Sequence, residues 1–98
     1  MPIVSFRGQA TQDINHGASS KSANRFLNPA LHEKARVKLA RLHAAHSLDD
    51  LATLPGNRLE KLKGDRKDQY GIRLNDQYRI RFRWTTPGPA DVEIVDYH

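Results

Sequence analysis

Cysteine is absent from the 98 residues, which rules out a disulfide framework, a thiolate metal site and a cysteine nucleophile. Long apolar runs are missing too: none approaches the roughly 20 residues that cross a bilayer, and Met1 to Arg7 lacks the basic-then-apolar layout of a signal peptide. A cytoplasmic location and no membrane partner are therefore expected. There is no glycine-rich phosphate loop, no HExxH zinc pair and no serine elbow. No internal repeat marks a second unit, so residues 1–98 read as one domain with one modest core. Hydrophobic residues make up 38% and charged residues 28%, enough apolar material for that core and too many charges for a membrane protein.

The scarcer charge is acidic, with 11 Asp and Glu against 16 Lys and Arg and a net charge of +5. That balance suits an anionic partner without saying whether it is nucleic acid or acidic protein. Position says more. Residues 1–56 carry 7 basic against 4 acidic groups, residues 57–84 carry 9 against 4, and residues 85–98 carry 0 against 3. The basic excess is concentrated in the third quarter of the chain.

The first half reads as helical. Ile3 to Arg7 is a short β-favouring segment expected to form an opening strand. Thr11 to His16 has room for about one and a half helical turns. Residues 17–22 read as a flexible turn within a loop-like stretch from Gly8 to Pro29. Asn28 followed by Pro29 predicts the start of a long helix reaching about His46. Its Leu31, Ala35, Leu39, Leu42 and Ala45 should face the core, beside a basic stripe of Lys34, Lys38 and Arg41. Ser47 caps a second short helix carrying Leu48, Leu51 and Leu54, ended by Pro55 and Gly56.

From residue 58 the period changes from helical to alternating. Tyr78, Ile80, Phe82 and Trp84 point one way and Arg79, Arg81 and Arg83 the other, which predicts a half-buried strand with a cationic face. Gln69 to Leu74 forms the preceding strand, joined through Asn75 and Asp76 in a hairpin, and carries Arg73 outward. Arg58 to Lys63 is expected as a strand before it, Gly64 and Asp65 as the turn, and Asp91 to Tyr97 as the last strand. The fold class is thus α+β: N-terminal helices on one face of a small, mainly antiparallel sheet, with an N-terminal strand.

Arg73, Arg79, Arg81 and Arg83, with Lys61 and Lys63, can line one face and meet a phosphate backbone, because the planar guanidinium engages phosphate oxygens with two parallel bonds. The plainer reading is that they are solvent-facing strand positions paired with Asp76, Glu93 or Glu60. Asp96, Tyr97 and His98 place three proton-handling groups at one strand end, although regular alternation puts Tyr97 opposite the other two. His43 and His46, three apart on the long helix and with Glu33 or His32 to assist, could in principle hold a metal, but a fixed transition-metal site needs three or four convergent ligands and the plainer reading is solvated helix histidines. Tyr70, Tyr78 and Trp84 share the period of Ile and Leu, which favours core packing over base stacking.

Leu62 to Arg66, then Tyr70 to Phe82, then Val92 to His98 resemble, in order, the HigB-like toxins of the RelE superfamily. Gly56 to Glu60 is similar to the GraT-type members. The resemblance covers roughly the last 40 residues, and the first half matches only in its pattern of strand and helices. It implies a type II toxin held inactive by a HigA-like helix-turn-helix antitoxin, touching operator DNA only through that antitoxin. It further implies entry into the ribosomal A site and cleavage of the mRNA there without metal or cofactor. Lys63 and Arg79 match the phosphate-holding pair, and Asp96, Tyr97 and His98 the C-terminal triplet. Glu60 stands where many relatives have histidine.

Chemically, a ribose 2′-hydroxyl attacks the adjacent phosphorus, one group takes its proton, another protonates the leaving 5′-oxygen, and cations stabilise the developing charge. His98 is the first choice for proton transfer, Glu60 a possible partner, and Tyr97 or Asp96 a positioning group. Two other readings stay open: a non-catalytic module blocking translation by occupying RNA or ribosome, and a basic face that binds the antitoxin.

Overall fold

A computed structural model describes residues 1–18, 20–62 and 69–96 of the chain. Its helices are α1 (Gln9–Asn15), α2 (Lys21–Phe26), α3 (His32–Ala44) and α4 (Leu48–Ala52). The strands β1 (Glu60–Lys61), β2 (Gln69–Arg73), β3 (Tyr78–Trp84) and β4 (Pro89–Asp96) form one sheet in sequence order, each pair antiparallel.

Local chemistry sets the helix starts. The Ser20 hydroxyl accepts from the Ala23 N–H at 3.0 Å and begins α2, a helix inside the stretch expected to be a loop. Its sequence offered a cap but no sustained apolar period. Asn28 accepts from the Ala30 N–H at 3.0 Å, but the first turn, Pro29–Leu31, is a 3-10 turn and α3 proper starts at His32. At α4, Ser47 accepts from the Asp50 N–H at 3.3 Å while the Asp50 carboxylate reaches back to the His46 N–H at 2.9 Å. This reciprocal pair occupies two donors that the helix itself leaves unused.

The core forms where Ile14, Leu27, Leu39, Leu42 and Leu51 of the helical half meet Ile72, Ile80, Phe82, Val92 and Ile94 of the sheet. Tyr70 stacks on Phe82 with centroids 6.2 Å apart, and Trp84 meets Phe82 edge-on at 6.4 Å. The aromatics therefore pack as the period predicts.

The opening strand is reduced to one parallel bridge, Phe6 with Val92. Residues 3–7 still run along β4: the Val4 N–H donates to Pro89 O at 2.7 Å and the Arg7 N–H to Val92 O at 2.9 Å. A bulge explains why the pairing stays short. The β3–β4 register shifts between Arg81 and Arg83, and Asp91 adopts a left-handed φ of +52°, so the β4 edge is not straight enough for a regular ladder. The segment approaches closely at Gly88 (φ +148°), where a Cβ would lie 2.1 Å from Pro2 O. Farther along the edge, the buried Thr11 hydroxyl accepts from the Ile94 N–H at 3.1 Å and ties α1 to β4.

Candidate nucleic-acid interface

Alternation and register decide which residues share a face. Ile72, Ile80 and Ile94 lie in one row toward the helices, so Arg73, Arg79, Arg81 and Arg83, with Glu93 and Asp91, belong to the opposite face. Glu60 is opposite Gly71, which in turn is opposite Arg81, so it belongs to the arginine face as well. Lys61 does not. It is opposite Tyr70, in the row of Phe82, which places it on the helix side of the exposed edge strand. Its expected place beside the strand arginines is corrected by one residue of register, which reverses the face.

The arginine face is less open than its sequence implies. Arg81 bonds Glu93 at 2.5 Å and Arg83 bonds Asp91 at 2.9 Å, with Arg7 also near Asp91 at 3.9 Å. Arg73 pairs with Asp76. These pairs fit the plainer reading for those three residues, and such partly exposed bridges contribute about 0–1 kcal/mol each. Arg79 differs in that its guanidinium donates to two carbonyl oxygens, Asn75 O at 2.7 Å and Tyr78 O at 3.0 Å. Arg73 and Arg79 are direct cross-strand partners. Two like charges so placed repel, and the Asp76 carboxylate on Arg73 offsets part of that repulsion. Among the described residues the buried Arg73 Nε also has no hydrogen-bond partner.

Asp96 closes β4 opposite Tyr78, next to the Arg79–Val95 pair, and its carboxylate accepts from the Gln77 amide at 3.2 Å. β4 thus delivers Asp96 to the sheet end that holds Arg79, but in the row of Tyr78 and Ile94, so the two residues belong to opposite faces of the sheet. Lys63, Tyr97 and His98, and the turn expected at Gly64 and Asp65, lie outside the described residues. Two of the candidate metal histidines are engaged elsewhere: His43 Nδ1 accepts from the Ile3 N–H at 3.1 Å, and His32 Nε2 donates to Leu27 O at 2.8 Å. Among the described residues no three His, Asp or Glu side chains gather as a metal would require.

Sequence reasoning missed Asn57 and misplaced Lys38. Asn57 is fully buried, donating from Nδ2 to Leu51 O at 3.1 Å and accepting at Oδ1 from Lys38 Nζ at 2.8 Å, while its backbone carbonyl accepts from the Arg73 N–H at 2.6 Å. It joins α4, α3 and β2. Lys38 is accordingly buried rather than part of an exposed stripe. Burial, and then the nearby Lys34, Arg41 and Arg73 charges, hold its ammonium below the usual lysine value. The signal was in the spacing: Lys38 falls three residues after Ala35 and four before Leu42, inside the apolar stripe.

Residues 18–98 match the family model of the HigB-like toxin, described as the RelE-like toxin of type II toxin-antitoxin system HigB. Over 47 residues the chain is 49% identical to Toxin HigB-1 of Vibrio cholerae serotype O1 (strain ATCC 39315 / El Tor Inaba N16961), covering 48% of this chain and 50% of the relative. The chain thus spans about half the length of that curated relative. Its fold is similar to the YoeB/ParE toxin from Agrobacterium tumefaciens, with a TM-score of 0.61 over the whole of both chains at 15% identity. Among the described residues no helix is long and apolar enough to cross a membrane.

Proposed function

The chain belongs to the HigB-like toxins, RelE-like toxins of type II toxin-antitoxin systems, and from that premise we propose that it is a ribosome-dependent endonuclease cutting mRNA in the A site. The observation carrying this reading is the Arg73–Arg79 cross-strand pair at the sheet end to which β4 delivers Asp96. A phosphate docking there meets two guanidinium forks, with Arg73 exchanging its exposed Asp76 partner for the anion.

In the proposed reaction, Arg79 and Lys63 hold the scissile phosphate. The 2′-oxygen attacks phosphorus as its proton leaves, and the bond to the 5′-oxygen breaks, giving a 2′,3′-cyclic phosphate and a 5′-hydroxyl. His98 moves a proton, with Glu60 as its partner and Asp96 and Tyr97 as positioning groups. Acid-base help contributes about 10²–10⁴-fold. One electrostatic donor contributes about 10²–10³-fold. Those factors leave the in-line geometry to be supplied by the ribosome, which is why the substrate is A-site mRNA rather than free RNA. Family membership supports an antitoxin partner. A HigA-like helix-turn-helix protein, with operator DNA reached only through it, and a cytoplasmic site of action complete the reading.

Purified protein added to stalled, programmed ribosomes should yield new mRNA ends confined to the A-site codon, with naked mRNA uncut. Arg79→Ala should cut about 10²–10³-fold more slowly. Intact message with translation nevertheless arrested would replace the nuclease by an occupancy blocker, and full cleavage by Arg79→Ala would remove its central residue.

A further inference from the structure

Two unfavourable features flank one backbone contact at the end of β2. Lys38 is buried, which a lysine seldom tolerates, and burial, then the charges of Lys34, Arg41 and Arg73, disfavours its cation. Arg58 is held at a left-handed φ of +46°, which a side chain of its kind adopts only where its surroundings impose it. Both adjoin Asn57, whose Oδ1 accepts from Lys38 Nζ, whose Nδ2 donates to Leu51 O and whose backbone carbonyl accepts from the Arg73 N–H at 2.6 Å. That last bond departs from the ladder. Glu60 is opposite Gly71 and Lys61 opposite Tyr70, so regular pairing would set Arg58 against Arg73. The Arg73 N–H goes one residue back instead, and the left-handed backbone at Arg58 takes up the step. Stability alone does not call for this arrangement, because a buried charge commonly gives way to apolar side chains of similar volume at no loss. What it secures is the strand end where Arg73 faces Arg79. Both guanidinium groups there lean on the turn that follows, Arg73 on Asp76 and Arg79 on Asn75 O.

We propose that Asn57, gripped by Lys38, is a positioning residue that fixes the end of β2 so that Arg73 meets the same phosphate as Arg79. The grip suits that task because it ties the strand to two helices at once, α3 through Lys38 and α4 through Leu51 O. Asn57 O then passes their placement to the Arg73 main chain. A misplacement of about 1 Å in a group that orients the reacting atoms can cost about 10²-fold in rate. What Arg73 does rests on the RNA-cleavage reading above; what holds Arg73 does not.

The test uses Lys38→Met/Asn57→Leu, in which neither polar partner is stranded and the chain should keep its fold. Amide hydrogen exchange should be faster at Arg73 while the Ile80 and Phe82 amides inside the sheet keep their protection. On stalled, programmed ribosomes the variant should cut about 10²-fold more slowly, with the fall in kcat rather than in KM. Arg73→Gln alone should slow cutting comparably. Added to the double variant it should slow cutting little further, because both changes remove one and the same contact with the phosphate. Full cutting by the folded double variant overturns the proposal, as does an Arg73→Gln loss of equal size in both backgrounds. A rate that only tracks the folded fraction, read by circular dichroism, overturns it too. If wild-type protein cuts no mRNA, the nuclease reading fails; the Arg73 amide then judges the grip by itself, and unchanged exchange overturns it.

Discussion

The bond between Lys38 and Asn57 can be isolated by a double-mutant cycle. Asn57→Leu keeps the volume but deprives a buried ammonium of its 2.8 Å acceptor, leaving Gly56 O at 3.4 Å. A hydrogen bond to a charged group is worth about 1.5–3 kcal/mol. The lost Nδ2 bond to Leu51 O adds about 0.5–1.5 kcal/mol. The single variant should therefore be less stable by about 3 kcal/mol, a large share of the 5–15 kcal/mol typical of such a domain. Lys38→Met instead leaves the Asn57 side-chain Oδ1 unpaired, at about 1–3 kcal/mol, partly offset because the crowded ammonium is gone. With both replaced, neither polar partner is stranded, and the total should be about 1 kcal/mol. Urea unfolding, with the slope checked for constancy, measures all four corners. The coupling should be about 2 kcal/mol or more; effects that add within about 0.5 kcal/mol would refute the role given to this bond.

Three further outcomes follow from the same structure. Because the native Lys38 value is lowered from 10.5, the unfolded chain binds more protons between the lowered value and 10.5. Wild-type stability should therefore rise with pH in that window relative to Lys38→Met, and a constant difference would contradict the burial. Asp13 is held below its usual 3.8 by hydrogen bonds from Gln9 and then Ser20, against some desolvation and with help from His16. Its contribution is present above 3.8 and lost as pH falls through the lower native value, so Asp13→Asn should flatten the acid side of a urea-midpoint profile. Gly88→Ala forces a Cβ against Pro2 O and should cost about 1–3 kcal/mol, a fall in Tm of at least about 4 °C. An unchanged Tm would mean that the N-terminal segment does not press on β4 as described.

What the sequence could say depended on how local the signal was. Strand β3 was legible to its end residues because Tyr78 to Trp84 alternates without a break, and α4 because Ser47 and Asp50 cap it from within four positions. Helix α2 was missed because six residues carry a cap but too few apolar positions to show a period. At the candidate site, alternation is enough to set Arg79 on the face opposite the helices, whereas a role beside Lys63, Asp96, Tyr97 and His98 is carried by the resemblance of residues 62–98 alone.

Alternation alone determined that arginines and apolar side chains occupy opposite faces of β3, since side-chain direction in a strand is fixed by the pleat. Charge counting likewise located the basic excess. Tertiary structure decided which of those cations stay charged against a neighbour and which are neutralised. Glu93 and Asp91 reach Arg81 and Arg83 because of strand pairing and a bulge some ten residues away in sequence. Lys61 left the arginine face through register, and Lys38 entered the interior because Asn57, 19 residues distant, offered its carbonyl. Periodicity is a property of one segment; neutralisation and burial require two segments to meet, and that meeting is made by the fold.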